Sequence, residues 1–99
     1  MSNNGFVFAA IIVREEAGYT SLCLDLDVAS QGETIQGAKD ALLEAVTLYL
    51  ETALENNLPW LRHVPHSQDP RFTDPELIVT EFPLHVSVAV HAHAQVANP

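Results

Sequence analysis

Hydrophobic and polar residues alternate with two different periods along this chain, and the change of period separates strands from a helix. Both alternating sets are apolar between residues 6 and 14, which predicts a strand buried on both faces. Residues 15–18, Glu-Glu-Ala-Gly, predict a hairpin turn in which Gly18 can take a positive φ angle. Residues 19–25 alternate more regularly, and their leucine-rich face is expected to meet the helix. That face comprises Thr20, Leu22, Leu24 and the following Leu26.

A helix is predicted after a short polar turn. Residues 28–31 predict a third, short strand that Gly32 closes, and Thr34 stands where an N-cap hydroxyl accepts a hydrogen bond from the first helical turn. From about Ile35 to about Asn56 the apolar residues recur with a helical period. The stripe expected to face the sheet is Ile35, Ala38, Leu42, Ala45, Val46, Tyr49 and Ala53. The opposite side carries Asp40, Glu44, Thr47, Glu51 and Glu55.

The predicted helix has more apolar surface than one sheet contact covers. Leu43, Leu50 and Leu54 form a second row beside the main stripe, and we expect this row to pack on the C-terminal tail or on another subunit. Together with the doubly apolar first strand, the row predicts that the protein is at least a dimer, because a chain of 99 residues has little material to cover both.

The remainder of the chain predicts an ordered connector and one more strand. Residues 57–82 contain four prolines, and Trp60, Leu61 and Phe72 are the expected anchors. Pro83 marks a strand edge or bend, and alternation returns from Leu84 to about residue 93. The order is therefore β-β-β-α-β. It predicts a single α+β domain over residues 1–99, with a curled antiparallel sheet of three to four strands packed on one long helix.

Composition and charge narrow the classes of partner. Thirteen acids against four bases give a net charge of −9, which makes binding to nucleic acid phosphates by this chain alone unfavourable and favours a basic protein partner. The single cysteine excludes an internal disulfide and fits a reducing cytoplasm, where we place the protein. No membrane-spanning or signal segment is predicted, because the longest apolar run has eight residues and no basic residues precede it.

Few residues in this sequence could carry chemistry, and we predict no catalytic, cofactor or metal site. His85, His91 and His93 share one face of the last strand, but a zinc site needs further ligands that the sequence does not supply. Cys23 has no base placed beside it and is expected to be packed. Asp25 and Asp27 have the form of a metal-binding acidic pair, but no further carboxylates follow at a suitable position. We therefore expect the protein not to be an enzyme.

Residues 18–51 resemble the HicB-like antitoxin family. The resemblance is carried by the aromatic strand opener Gly18-Tyr19, by residues 22–27 (LCLDLD), by residues 28–34 (VASQGET) and by the helix end at residues 44–51 (EAVTLYLE). It implies a truncated ribonuclease-H-like fold, which agrees with the order reached from periodicity. It also implies an antitoxin that neutralises a small basic HicA-type ribonuclease by direct binding.

The resemblance leaves two functions open. One is a HicB-like antitoxin without catalysis of its own, for which the partner-binding candidates are Asp25, Asp27, Glu33, Leu43, Leu50 and Leu54. The other is a solitary HicB-like domain that serves as a homo-oligomeric scaffold or small-ligand binder. The sequence departs from the family in two respects. It shows no C-terminal DNA-binding segment, and it has Gly37 where an acidic residue would complete a capping box.

Overall fold

A four-stranded antiparallel sheet and one long helix make up the fold. The computed structural model describes residues 2–90, with side chains described for residues 5–88. The strands are β1 (Ser2–Glu15), β2 (Gly18–Cys23), β3 (Val28–Gly32) and β4 (Ile78–Val90), and the helices are α1 (Ile35–Glu55) and the short α2 (Pro70–Thr73). The sheet order is β3-β2-β1-β4, and α1 lies across one face of it. The predicted α+β class is confirmed.

The β1–β2 hairpin forms at the predicted turn. Glu15 pairs with Gly18, so the loop contains two residues. Gly18 has a φ of 150°, and a Cβ atom there would lie 2.7 Å from the carbonyl oxygen of Gly32 on the neighbouring strand. A glycine is therefore required both by the backbone conformation and by the close approach of β3.

The side of β2 that faces the helix differs from the prediction. Cys23 lies opposite Ala10, and both belong to the core beneath α1, so Ser21 and Cys23 face the helix. Leu22 and Leu24 pack on the other face of the sheet. The prediction that the leucine face meets the helix is wrong for these two residues, because pairing with β1 fixes the register and a one-residue shift exchanges the faces of a strand.

The first strand is buried on two faces over only part of its length. Ile11 and Val13 are buried on the face away from α1, where Val64 and Ile78 cover them. Val7 is 62% exposed. Residues 10–13 thus confirm the prediction, whereas it is wrong for Val7, because Val64 and Ile78 cover only Ile11 and Val13 on that face.

Capping interactions define both ends of α1, whose bounds match the prediction closely. The Thr34 hydroxyl accepts a hydrogen bond from the Gly37 backbone N–H at 2.9 Å, which confirms the predicted N-cap. At the other end Asn57 has a φ of 55°, and the Leu58 N–H donates to the Ala53 carbonyl in a Schellman-type turn. The residues of α1 that are buried against the sheet are Ala38, Leu42, Val46, Leu50 and Ala53.

The connector after α1 crosses from the helix face of the sheet to the opposite face. Trp60 packs edge-on against Phe6 and Phe8, as predicted for an anchor. Leu61 and Phe72 are 58% and 57% exposed, so their prediction as anchors is wrong. Backbone hydrogen bonds hold the crossing instead: the Arg62 and Val64 N–H groups donate to the carbonyls of Asp25 and Leu24.

The last strand forms one edge of the sheet, as Pro83 predicts. Pro83 lies opposite Ala9 within β4, where a missing N–H group is tolerated on an edge. Leu84, Val86 and Val88 are buried beneath α1, whereas His85 is exposed. Within residues 2–90, no helix has the length and apolar character needed to cross a membrane.

Candidate protein-binding surface

One side of α1 exposes apolar residues that the sheet does not cover. We call this surface the α1 flank and define it by Ala41, Ala45, Leu48 and Thr52. Leu48 is 64% exposed and separates two shallow hollows of about 660 and 420 Å³, and both hollows are lined by Ala45 and Leu48. Because the two hollows share Ala45 and Leu48, the exposed apolar surface is continuous, and continuous surface of this kind is where another molecule can pack.

The turn after α1 extends this apolar surface. The left-handed conformation of Asn57 brings the chain back, so that Leu58 and Pro59 line the smaller hollow together with Tyr49 and Ala53. Leu58 is 53% exposed. Tyr49 is fixed in place because its hydroxyl donates to the Trp60 carbonyl at 2.8 Å. One wall of the smaller hollow is therefore fixed by the C-terminal cap of α1 and by the hydrogen bond of Tyr49.

Acidic residues border the α1 flank. Glu44 and Glu51 line the larger hollow, and Asp40 and Glu55 are exposed on the same helix. The one basic residue of α1, Lys39, lies over the ring of Phe82 at 4.8 Å, close to the sheet. The surface is therefore apolar in its centre and negative along its border, which suits a partner that offers apolar and basic side chains together.

The acids predicted to bind a partner do not form one surface. Asp25 has a structural role, since one carboxylate oxygen accepts a hydrogen bond from the Ala9 N–H at 2.8 Å and the other lies 3.4 Å from Nδ1 of His63. Asp27 occupies the same turn with a φ of 55°. Glu33 follows the far end of β3, roughly 20 Å from Asp27 at about 3.3 Å per strand residue. The three predicted acids therefore lie at the two ends of β3.

The predicted row of leucines is divided in the same way. Leu50 is fully buried in the core beneath α1, so its assignment to a second row beside the main stripe is wrong. Leu54 is partly buried against that core, and Leu43 is 39% exposed. The exposed Leu48 was missed, although the spacing of residues 41, 45, 48 and 52 alternates between four and three, which is typical of a helix seam. The role of the other candidates, Asp25, Asp27, Glu33, Leu43 and Leu54, in partner binding stays a prediction.

Two groups with shifted pKa values, the Cys23 thiol and the Asp69 carboxyl, lie where they contribute to the fold. Burial raises the pKa of the Cys23 thiol to about 11, which removes the thiolate that a nucleophile requires. In the connector, the bidentate contact with the Arg71 guanidinium lowers the pKa of the Asp69 carboxyl, and Asp69 also caps α2. Residues 2–90 contain no group of three His, Cys, Asp or Glu that could hold a metal ion. His91 and His93 lie outside the described residues.

Comparison with known proteins gives a likeness in fold to solved structures. No family model matches the sequence, and no curated protein is similar to it. The structure is similar to a solved chain described as "HicA3 and HicB3 toxin-antitoxin complex", with a TM-score of 0.53 and 18% sequence identity. The alignment covers 87% of this chain and 99% of the solved chain. At this level of identity the likeness concerns the fold.

Proposed function

We propose that the protein is an antitoxin of the HicB-like type, which binds and neutralises a small basic HicA-type ribonuclease. The observation that carries the proposal is the α1 flank, where Leu48 stands exposed between hollows bordered by Glu44 and Glu51. A cationic protein with an apolar contact surface complements this arrangement. The likeness in fold to a chain of a toxin–antitoxin complex supports the same assignment.

The proposed antitoxin acts by covering its partner and performs no catalysis itself. The acids on and near α1 attract a basic protein over a distance, whereas burial of Leu48 and Leu58 supplies contact that persists once the complex has formed. Association should therefore slow as the salt concentration rises, while the dissociation rate changes much less. Stopped-flow mixing at several ionic strengths measures both rates.

A growth assay tests the proposed function directly. Any small basic protein encoded by a gene adjacent to this one is expressed with and without this chain in the same host. We expect the basic protein alone to stop growth, and co-expression of this chain to restore growth and to yield a complex that co-purifies. Arrest of growth that co-expression does not relieve would contradict the proposal.

A second candidate function is a homo-oligomeric scaffold, which is favoured by the sheet face opposite α1. Val7 is 62% exposed on that face, and β4 presents an edge of thirteen residues. Long exposed edge strands are prone to pair with another chain. Sedimentation equilibrium at micromolar concentration tests self-association through this face: we expect a dimer that Val7→Lys weakens, and a wild-type monomer would contradict the scaffold function.

A further inference from the structure

We propose that the element docking on the α1 flank is an amphipathic basic α-helix of the partner, packed along α1. This inference deepens the proposed function, on which it rests, by specifying the partner's contacting element. Its starting point is the spacing along the α1 flank. The steps from Ala41 to Ala45, Leu48 and Thr52 are four, three and four residues. This is the alternation of a and d positions that lets two helices pack side by side.

The charged residues occupy the matching border positions. If Ala41 and Leu48 are taken as d positions and Ala45 as an a position, Glu44 and Glu51 both fall at g positions. Both glutamates line the hollow on this side of Leu48. The e positions on the other side of the stripe carry no charge: Leu42 is fully buried, and Tyr49 is half-buried with its hydroxyl bonded to the Trp60 carbonyl. The α1 flank therefore offers one acidic border to an incoming helix.

Side-chain size also favours a helix. Ala41 and Ala45 are small and half-buried, so a partner helix can approach closely, while Leu48 projects as a knob between the two hollows. The stripe from Ala41 to Thr52 covers about three helical turns, roughly 17 Å. A partner strand could pair less extensively with β3 at the neighbouring edge of the sheet, because β3 has only five residues and Gly32 at its end lies close to the backbone of α1.

Charge decides between a second copy and a different protein as the occupant. Two copies of α1 packed antiparallel would place Glu44 and Glu51 against the same residues of the other copy, which is repulsive. Packed in parallel, the glutamates would face e positions that hold Leu42 and Tyr49, neither of which offers a positive charge. A helix with Lys or Arg at its border positions satisfies both glutamates. The occupant is therefore a basic helix of another protein.

The test uses designed peptides and needs no toxin. The first peptide has about three heptads with Leu at a and d and Lys at e and g, so that its own charges oppose self-pairing. The second is identical but has Glu in place of every Lys. Isotope-labelled protein is titrated with each peptide, and chemical-shift changes report both the site and the dissociation constant. We expect the basic peptide to shift residues of the α1 flank and the acidic peptide to bind at least about tenfold more weakly.

A charge exchange supplies the sharpest readout. Glu44→Lys combined with Glu51→Lys should reverse the preference, so that the acidic peptide binds at least about tenfold more tightly than the basic one. A misfolded variant could not gain affinity in this way. Glu16→Lys combined with Glu76→Lys makes the same change of net charge at exposed positions outside α1 and should keep the original preference.

Hydrophobic contact is tested separately with Leu48→Asp, which should weaken binding of the basic peptide at least about tenfold. Leu61→Asp is the matched control, because Leu61 is 58% exposed on the connector and lines neither hollow of the α1 flank. Shift changes confined to β3, β4 or the Val7 face would overturn the inference, as would an unchanged preference after the charge exchange. Either result could occur while co-expression still rescues growth. Failure of the helix-docking inference is therefore distinguishable from failure of the proposed function.

Discussion

Truncation of a buried leucine in α1 should cost the domain a large part of its stability. Leu42 is fully buried and contributes to the core beneath the helix, together with Val46 and Leu50. Leu42→Ala removes buried methyl groups and leaves a cavity that packed neighbours fill only in part, which typically costs about 2–5 kcal/mol. A domain of this size has a total stability of roughly 5–15 kcal/mol. The variant should therefore be marginally folded.

Leu48→Ala is the matched control, because it makes the same chemical change on the same helix. Leu48 is 64% exposed, so little apolar area returns to water and no cavity forms. We expect a change within about 0.5 kcal/mol, which is usual for surface positions. Alanine also has the higher helix propensity, which offsets part of any lost contact.

Urea unfolding followed by circular dichroism measures both variants against the wild type. We expect the midpoint of Leu42→Ala to fall far below that of the wild type, with the midpoint of Leu48→Ala close to it. Equal losses from both substitutions would show that the helix face toward the sheet is assigned incorrectly. They would also remove the basis for the α1 flank, which depends on Leu48 being open to solvent.

Three further predictions concern close packing, a turn and the buried thiol. Gly32→Ala should destabilise the domain by about 1–3 kcal/mol in thermal unfolding, because the added Cβ atom would lie 2.5 Å from a backbone nitrogen of α1. Gly5→Ala is the control and should be nearly neutral, because a Cβ atom at residue 5 meets nothing within 4 Å. Asp25→Ala should cost about 0.5–1.5 kcal/mol in urea unfolding, because the Ala9 N–H loses its acceptor at a position that water can reach, and Asp25→Asn should largely avoid this loss. Burial raises the pKa of the Cys23 thiol in the folded protein to about 11, so on raising the pH the thiol ionises in the unfolded chain before it ionises in the folded one. The free energy of unfolding should therefore fall from about pH 9 upward, and Cys23→Ala should flatten that decline.

Local sequence signals predicted the elements well. The Glu15–Gly18 turn, the Thr34 cap and the bounds of α1 all depend on residues close to one another in the chain, and the structure confirms each of them. The edge position of Pro83 has the same origin, because proline lacks the N–H group that a central strand needs. Predictions of this kind require no knowledge of the tertiary contacts.

Assignments that depend on distant residues were less successful. Leu22 and Leu24 turn away from α1 because the register with β1 sets the face, and Val64 from the connector supplies cover there. Leu50 is buried because Leu84 and its neighbours on β4 widen the core beneath the end of α1. Neither the register nor the width of the core can be read from the period of a single segment.

The two proposed contact surfaces lie on opposite faces of the sheet, and this arrangement has a consequence for stoichiometry. Val7 and the β4 edge are available for self-association, whereas Leu48 lies on the helix that covers the other face. A dimer formed through the sheet would leave both α1 flanks open, and repulsion between Glu44 and Glu51 of different copies would keep the flanks apart. Each flank could then take one basic helix. Two copies of this protein would accordingly bind two partners, with the acidic border keeping an exposed apolar surface free until a cationic protein arrives.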